Sequence, residues 1–160
     1  VVTDQAIREK LVAVSWNQKQ PVECSHLVVI SRIERMDEQH VDTHLSRVAK
    51  LRGISTESLA PFKKMIMDFV NGSSEEFLAE WMSKQCYIAL GNLMTTAAQL
   101  GVDNCPMEGF AKEEYDKILG LPEKGCRSVV LCALGYRHPD DKFGKLAKVR
   151  FAPEDVIINI

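Results

Sequence analysis

The fold of this chain is decided by residues 73–110, SSEEFLAEWMSKQCYIALGNLMTTAAQLGVDNCPMEGF. Apolar residues recur there at steps of three or four, which predicts one long helix. The main stripe consists of Leu78, Met82, Cys86, Ala89, Leu93, Ala97 and Leu100. A second stripe beside it consists of Tyr87, Leu90, Met94 and Ala98. Because the helix is apolar on more than one face, we expect it to be covered on more than one face.

Both ends of this helix carry sequence signals. Ser73 followed by Glu76 fits a capping box, and Gly101 supplies the left-handed residue that commonly ends a helix. At roughly 1.5 Å per residue the helix is about 40 Å long, which is enough to cross a small domain. A short strand over residues 102–105 then leads into a turn that contains proline and glycine, residues 106–110.

The rest of the chain alternates helices and strands only loosely. Periodicity and turn residues predict helices over residues 5–15, 38–52, 55–70 and 112–119. Short β-branched runs predict strands over residues 26–33, 126–137 and 156–160. The pattern favours an α+β fold in which helices pack on a central sheet. The last strand would need a partner edge, and the opening Val1-Val2 resembles the end of a strand, so we expect further residues ahead of it.

Composition limits the classes of function. The chain has 160 residues, which favours one domain with a sizeable core. A hydrophobic fraction of 46% and a charged fraction of 26% are ordinary for a globular protein. The net charge of −2 gives no nucleic-acid signature. No apolar run has membrane-spanning length, and no signal-peptide order opens the chain. We therefore expect neither a nucleic-acid nor a membrane partner.

The cysteines and histidines form no recognisable metal or catalytic motif. The five cysteines are odd in number and include no CxxC pair, which favours free thiols and a reducing cytoplasm. His40 and His44 are four residues apart but lack the glutamate of a zinc-protease motif. No Ser-His-Asp, Cys-His or paired-carboxylate constellation stands out. The sequence thus predicts no metal site and no catalytic side chain of its own.

Three segments carry a family resemblance. They are EWMSKQCYIALGNLMTTAAQLGVDNCPMEGF at residues 80–110, GLPEKGCRSVVLCALGYR at residues 120–137, and LAKVR at residues 146–150. Together they resemble the FMN-dependent nitroreductase family, in its oxygen-insensitive NAD(P)H nitroreductase and dihydropteridine reductase branch. The resemblance implies an α+β sandwich with a central, mostly antiparallel sheet. It also implies a homodimer with the long helix at its core and the C-terminal strand exchanged with the partner.

The resemblance also implies a cofactor site. FMN would carry the chemistry, NAD(P)H would reduce it, and a nitroaromatic, quinone or pteridine-like acceptor would enter the same pocket by ping-pong kinetics. The residues implied at the flavin ring are Pro106, Met107, Glu108 and Gly109, where a backbone N–H can donate to the flavin N5. A turn of this composition is, taken alone, most often only a turn, although glycine does permit close backbone approach to a ligand.

The residues implied at the FMN phosphate are Lys148 and Arg150. A charged segment near a chain end is usually solvated surface. Alternation nevertheless puts both side chains on one face if the segment is extended, and a point cation with a planar fork suits a phosphate.

The chain departs from the family pattern at its start. Family members carry an Arg-x-Ser-x-Arg helix and a Ser/Asn/Gln-Pro loop that these 160 residues do not contain. The residues 16–21, WNQKQP, follow the first helix, and no role is assigned to Asn17 or Lys19. The alternative hypothesis is therefore a truncated or degenerate, non-catalytic member with weak or no flavin binding.

Overall fold

The computed structural model describes all residues from 1 to 160. It contains seven α-helices, which are α1 (Gln5–Ala13), α2 (Gln20–Glu23), α3 (Glu38–Arg52), α4 (Ala60–Asn71), α5 (Glu75–Gln99), α6 (Lys112–Leu119) and α7 (Pro153–Val156). Its three strands are β1 (His26–Ile33), β2 (Asp103–Met107) and β3 (Cys126–Gly135). Short 3-10 turns over Glu57–Leu59 and Pro122–Lys124 precede α4 and β3. The predicted helix over residues 55–70 thus begins later, at Ala60, because its first turn is a separate 3-10 turn.

The strands form one antiparallel sheet in the order β1-β3-β2. The central strand β3 is buried from Ser128 to Ala133, as expected for a strand covered on both faces. A register shift between Ile30 and Ser31 leaves Val129 of β3 without a partner in β1. Val2 adds an isolated antiparallel bridge to Leu27, which agrees with the strand character predicted for the opening residues.

Helices cover the two faces of this sheet, so that the predicted α+β sandwich is confirmed. Alternate residues of β3 point to opposite faces. Leu131 and Ala133 pack on the side of α1 and α6, where Leu11 and Tyr115 are fully buried. The other side is covered by α5, and the cluster there consists of Cys86, Leu90, Val129, Val130 and Cys132.

The long helix α5 confirms the central prediction with one correction at its start. Ser74, not Ser73, caps the helix, because its Oγ accepts the Phe77 N–H at 3.1 Å. The Ser73 hydroxyl instead donates to the Phe69 carbonyl of α4. Gly101, with φ of 69°, ends the helix in the left-handed conformation, as predicted.

Only part of the expected apolar surface of α5 is buried within one chain. The buried residues are Leu78, Met82, Cys86, Leu90 and Ala97. Ala89 and Leu100, which belong to the predicted main stripe, are exposed. The buried stripe therefore passes through Leu90 rather than Ala89, and the opposite face of the helix has no cover in the single chain.

The C-terminal strand prediction is not met in this chain. Residues 153–156 form the short helix α7, and residues 157–160 belong to no helix or strand. Ile158 and Ile160 are exposed. The physical reason is that a β-branched segment becomes a strand only against a free edge, and no edge of this sheet receives it here.

Candidate functional site

The turn that follows β2 is anchored in the core on both sides. Met107, its last strand residue, is buried, whereas Pro106 before it is exposed. Phe110 is buried against the Tyr115 ring, with ring centroids 4.7 Å apart in an edge-on arrangement. Residues 108 and 109 lie between these two anchors, and their backbone is therefore held in place.

Two backbone donors of this turn are free. The Phe110 N–H donates to the Glu108 carbonyl at 2.9 Å, and the Ala111 N–H donates to the Val14 carbonyl at 2.8 Å. The N–H groups of Glu108 and Gly109 donate to no atom of the chain. Since backbone donors normally find partners in protein or solvent, these two are available to an acceptor from outside the chain.

The loop after α1 lies against Gly109. The Gln18 Nε2 donates to the Gly109 carbonyl at 3.1 Å. A Cβ added at Gly109 would lie 2.6 Å from Gln18 Nε2 and 2.8 Å from Trp16 Cε3. The expectation that glycine admits a ligand here is thus refined, because the room that a side chain would need is taken by Trp16 and Gln18. Sequence reasoning missed both residues, since 91 positions separate Gln18 from Gly109.

This loop has an unusual backbone. Trp16 and Asn17 have φ of 52° and 58°, in the left-handed region that non-glycine residues seldom adopt. The loop is fixed by the Asn17 N–H, which donates to the Val12 carbonyl, and by the Gln18 N–H, which donates to the Ser15 carbonyl. Backbone strain of this kind persists where the surroundings impose it, and it is frequent at functional sites.

The long helix also contacts the turn. The Tyr87 hydroxyl on α5 donates to Glu108 Oε1 at 2.6 Å. The hydrogen bond to this carboxylate, together with partial burial, raises the pKa of Tyr87 to about 12. The phenol therefore stays protonated and remains a donor at neutral pH.

No hydrogen bond or ion pair joins the other predicted pair to the turn. Lys148 and Arg150 are exposed on a segment without regular structure, and neither has an acidic partner within 4 Å. The Arg150 guanidinium donates to the Val149 carbonyl. Hydrogen bonds from Arg137 lower the pKa of Asp103, and the Lys148 charge adds to this effect. Asp103 is the first residue of β2, whereas the turn follows the last.

A wide cleft lies elsewhere in the chain. It has a volume of about 890 Å³ and is lined from the β1–α3 connection, α4 and the start of α5, including Met36, Met67 and Met82. None of the residues 106–110 lines it. We place the candidate site at the turn rather than in this cleft because the turn carries the two free N–H donors of Glu108 and Gly109. No group of three His, Cys, Asp or Glu side chains could hold a metal ion.

Comparison with known proteins now identifies the family. The model of the Nitroreductase family matches residues 1–136 of the chain. The chain belongs to the nitroreductase family. The family prediction is therefore confirmed, and with it the prediction of an oxidoreductase enzyme.

Curated members of the nitroreductase family are similar along most of this chain. A Staphylococcus aureus (strain MSSA476) protein, named as a proposed NAD(P)H nitroreductase, is 38% identical over 98% of the chain and 73% of its own length. YfkO of Bacillus subtilis (strain 168), which carries the same description, is 37% identical over 98% of the chain and 74% of its own length.

Solved structures of nitroreductases share the fold. Bacillus subtilis ydfN superposes with a TM-score of 0.85 at 19% identity, covering 99% of this chain and 75% of that one. A nitroreductase from Exiguobacterium sibiricum, solved in complex with FMN, gives 0.82 at 16% identity, covering 100% and 74%. At these identities the likeness establishes the nitroreductase fold and nothing finer.

Proposed function

We propose that this nitroreductase binds FMN and uses NAD(P)H to reduce nitroaromatic, quinone or pteridine-like acceptors by a ping-pong mechanism. FMN, when bound, supplies the hydride chemistry of both half-reactions. The chain's own residues bind and orient the cofactor. The proposal is supported by the FMN complex of the Exiguobacterium sibiricum structure and by the NAD(P)H in the names of the curated relatives.

The observation that carries the proposal is the pair of free N–H groups at Glu108 and Gly109. An oxidised flavin presents N5 as a hydrogen-bond acceptor, and a backbone N–H is a donor that carries no charge and does not titrate. Because Met107 and Phe110 fix the turn in the core, the donors are oriented before the ligand arrives. The residues present therefore fit the ring of FMN.

The exposed ring of Trp16 lies next to the turn that carries the free N–H groups. It is 73% exposed although its edge lies beside the Gly109 backbone. An aromatic side chain in this position offers a flat apolar face to a ring system. We propose that Trp16 contacts the flavin or the acceptor.

Lys148 and Arg150 are proposed to bind the phosphate. Both cations lack an acidic partner, and the Lys148 charge helps to lower the pKa of Asp103, the first residue of β2. FMN is elongated, with its ring and its phosphate at opposite ends of the ribityl chain. We propose that the turn after β2 contacts the flavin ring and that Lys148 and Arg150 contact the phosphate.

We also propose that the working form is a homodimer. The α4–α5 surface exposes large apolar side chains, and the C-terminal segment exposes more. The first group consists of Met65, Phe69, Phe77, Trp81, Ile88 and Leu100, and the second of Phe151, Val156, Ile157, Ile158 and Ile160. Extended exposed apolar surface indicates an interaction site. A second copy would cover the open face of α5 and provide an edge for the C-terminal segment.

No helix of the structure has the combination of length and apolar character that a membrane crossing needs. We propose a cytoplasmic location, which the five unpaired cysteines support.

The first experiment is a visible absorption spectrum of the purified protein, taken before and after addition of FMN and desalting. We expect a retained flavin band that NAD(P)H bleaches under anaerobic conditions. A colourless protein that FMN cannot reconstitute would contradict the proposal and favour the non-catalytic alternative.

The variant Lys148→Ala tests the phosphate contact. Loss of one charge-assisted bond costs about 1.5 kcal/mol at the lower end of the usual range, so we expect FMN to bind about tenfold more weakly. Lys142→Ala, on the same segment, removes the same charge and serves as the control. Equal effects of the two variants would show only a general loss of positive charge.

A further inference from the structure

Tyr87 connects the long helix to the candidate site. It lies in the middle of α5, and its hydroxyl donates to Glu108 Oε1 across 21 residues of sequence. This is the one hydrogen bond of the Glu108 side chain, and no Lys, Arg or His lies within 4 Å of its carboxylate. The Glu108 side chain therefore has a single hydrogen-bond partner, and that partner belongs to α5, the longest helix of the fold.

The Tyr87 contact acts on the backbone that carries the free donors. Met107 and Phe110 hold the two ends of the turn, and the Phe110 N–H also holds the carbonyl of the peptide between Glu108 and Gly109. The Gly109 carbonyl is held by Gln18 on one side. The Glu108 side chain is held by Tyr87 on the other side. Because the Cα atom of Glu108 joins the two peptides that carry the free N–H groups, the Tyr87 contact restrains both peptides from α5.

We propose that Tyr87 is a positioning residue, which acts through the Glu108 carboxylate to hold the N–H groups of Glu108 and Gly109 toward the flavin. The inference rests on the proposed FMN site and goes beyond it, because it assigns a role to a residue outside the turn. Tyr87 itself need not touch the cofactor. The raised pKa of its phenol keeps it a donor throughout the neutral range.

The charge of Glu108 gives the contact a second consequence. A hydrogen bond from a phenol draws negative charge toward the donor. Without it, the carboxylate keeps its full negative charge next to the turn. Since reduced flavin carries more negative charge than oxidised flavin, loss of the Tyr87 donor would make reduction harder.

The test compares Tyr87→Phe with the unsubstituted chain and with Tyr136→Phe, which removes a hydroxyl from an exposed tyrosine without a hydrogen bond. We expect Tyr87→Phe to bind FMN about fivefold more weakly, which is about 1 kcal/mol at roughly 1.4 kcal/mol per factor of ten. We also expect a lower midpoint potential of the bound FMN. Tyr136→Phe should change neither quantity.

A double-variant cycle shows whether Tyr87 acts through Glu108. In the Glu108→Ala background, Tyr87→Phe should have no further effect on FMN affinity or potential. The contact is also observable without cofactor. With 3-fluorotyrosine in place of tyrosine, the ¹⁹F resonance that Tyr87→Phe removes should shift in Glu108→Gln, and the other two resonances should stay.

The outcomes separate this inference from the proposed function. If the unsubstituted chain binds FMN and Tyr87→Phe retains its affinity and potential, the positioning role is wrong and the flavin site stands. If Tyr87→Phe still weakens FMN binding in the Glu108→Ala background, Tyr87 acts by another route and the inference is overturned. If the unsubstituted chain binds no FMN, both fail, whatever the ¹⁹F spectra show.

Discussion

Gly109→Ala tests the close packing of the turn against the loop after α1. The Gly109 backbone has no positive φ, so that alanine would not strain it, and the cost comes only from contacts of the new Cβ. To move from 2.6 and 2.8 Å to an ordinary contact of 3.4 Å, the Gln18 amide must retreat by about 0.8 Å and the Trp16 ring by about 0.6 Å.

The magnitude follows from these movements. Retreat of the amide breaks its hydrogen bond to the Gly109 carbonyl, which costs about 0.5–1.5 kcal/mol. Displacement of the Trp16 ring from its rotamer costs about 0.5–1.5 kcal/mol more. Alanine in turn restricts the unfolded chain, which offsets about 0.4–1 kcal/mol. We expect the free energy of unfolding to fall by about 1 kcal/mol, and the midpoint temperature by about 2–4 °C.

The assay is denaturant unfolding of Gly109→Ala in two backgrounds, the natural chain and the Trp16→Ala/Gln18→Ala variant. In the second background the space around residue 109 is open, so Gly109→Ala should become neutral or stabilising. The difference between the changes in unfolding free energy that Gly109→Ala causes in the two backgrounds is the coupling free energy, which we expect to be about 1 kcal/mol or more. Equal costs in both backgrounds would refute the packing argument.

Three further predictions concern the helix, the dimer and pH. Ser74→Ala should lower the free energy of unfolding by about 1 kcal/mol in a thermal melt, and Ser73→Ala, which removes no cap, should have a smaller effect. A Cβ on Gly91 meets nothing within 4 Å in the single chain. Gly91→Ala should nevertheless weaken the dimer in sedimentation equilibrium, because we propose that a second copy packs on the open face of α5. An unchanged dissociation constant would argue against that face. Arg137 lowers the pKa of Asp103. Asp103→Asn should therefore lower the free energy of unfolding at neutral pH, and this loss should disappear as pH falls through about 4 toward the lowered pKa. A loss that persists in acid would show that charge is not its source.

Local signals determined most of the fold correctly. The strand His26–Ile33, the helix Glu38–Arg52 with Gly53 after it and the helix Lys112–Leu119 with Gly120 after it have the predicted bounds. All three depend on residue pattern within the segment, and the two helices also depend on a glycine whose left-handed φ ends the helix. The position of the cap was wrong because Ser73 and Ser74 have equal capping chemistry, and only the geometry of the chain that leaves α4 selects between them.

The sequence indicates candidate site residues only in the segments that carry the family resemblance. The resemblance predicts a role for the turn at residues 106–109, and that role stays a prediction. It does not indicate the neighbours Trp16 and Gln18, because their contact with Gly109 spans more than half the chain. The polar run after α1 predicts a loop. It does not indicate that the loop adopts left-handed backbone at Trp16 or that it folds back on the turn.

The two parts of the sequence that the single chain leaves unexplained have the same physical character. The helix α5 is apolar on two faces and buries one, and the terminal VIINI segment is β-branched but unpaired. Neither pattern is satisfied within the chain, since β3 packs on only one face of α5 and the C-terminal segment pairs with no strand of the sheet. The apolar pattern of a sequence reflects burial in the assembled protein, whereas the structure of a single chain shows only the burial within that chain. For this reason the mismatch at α5 and at the C-terminus supports the proposed dimer: the residues that failed as predictions about one chain are those that a second copy would cover.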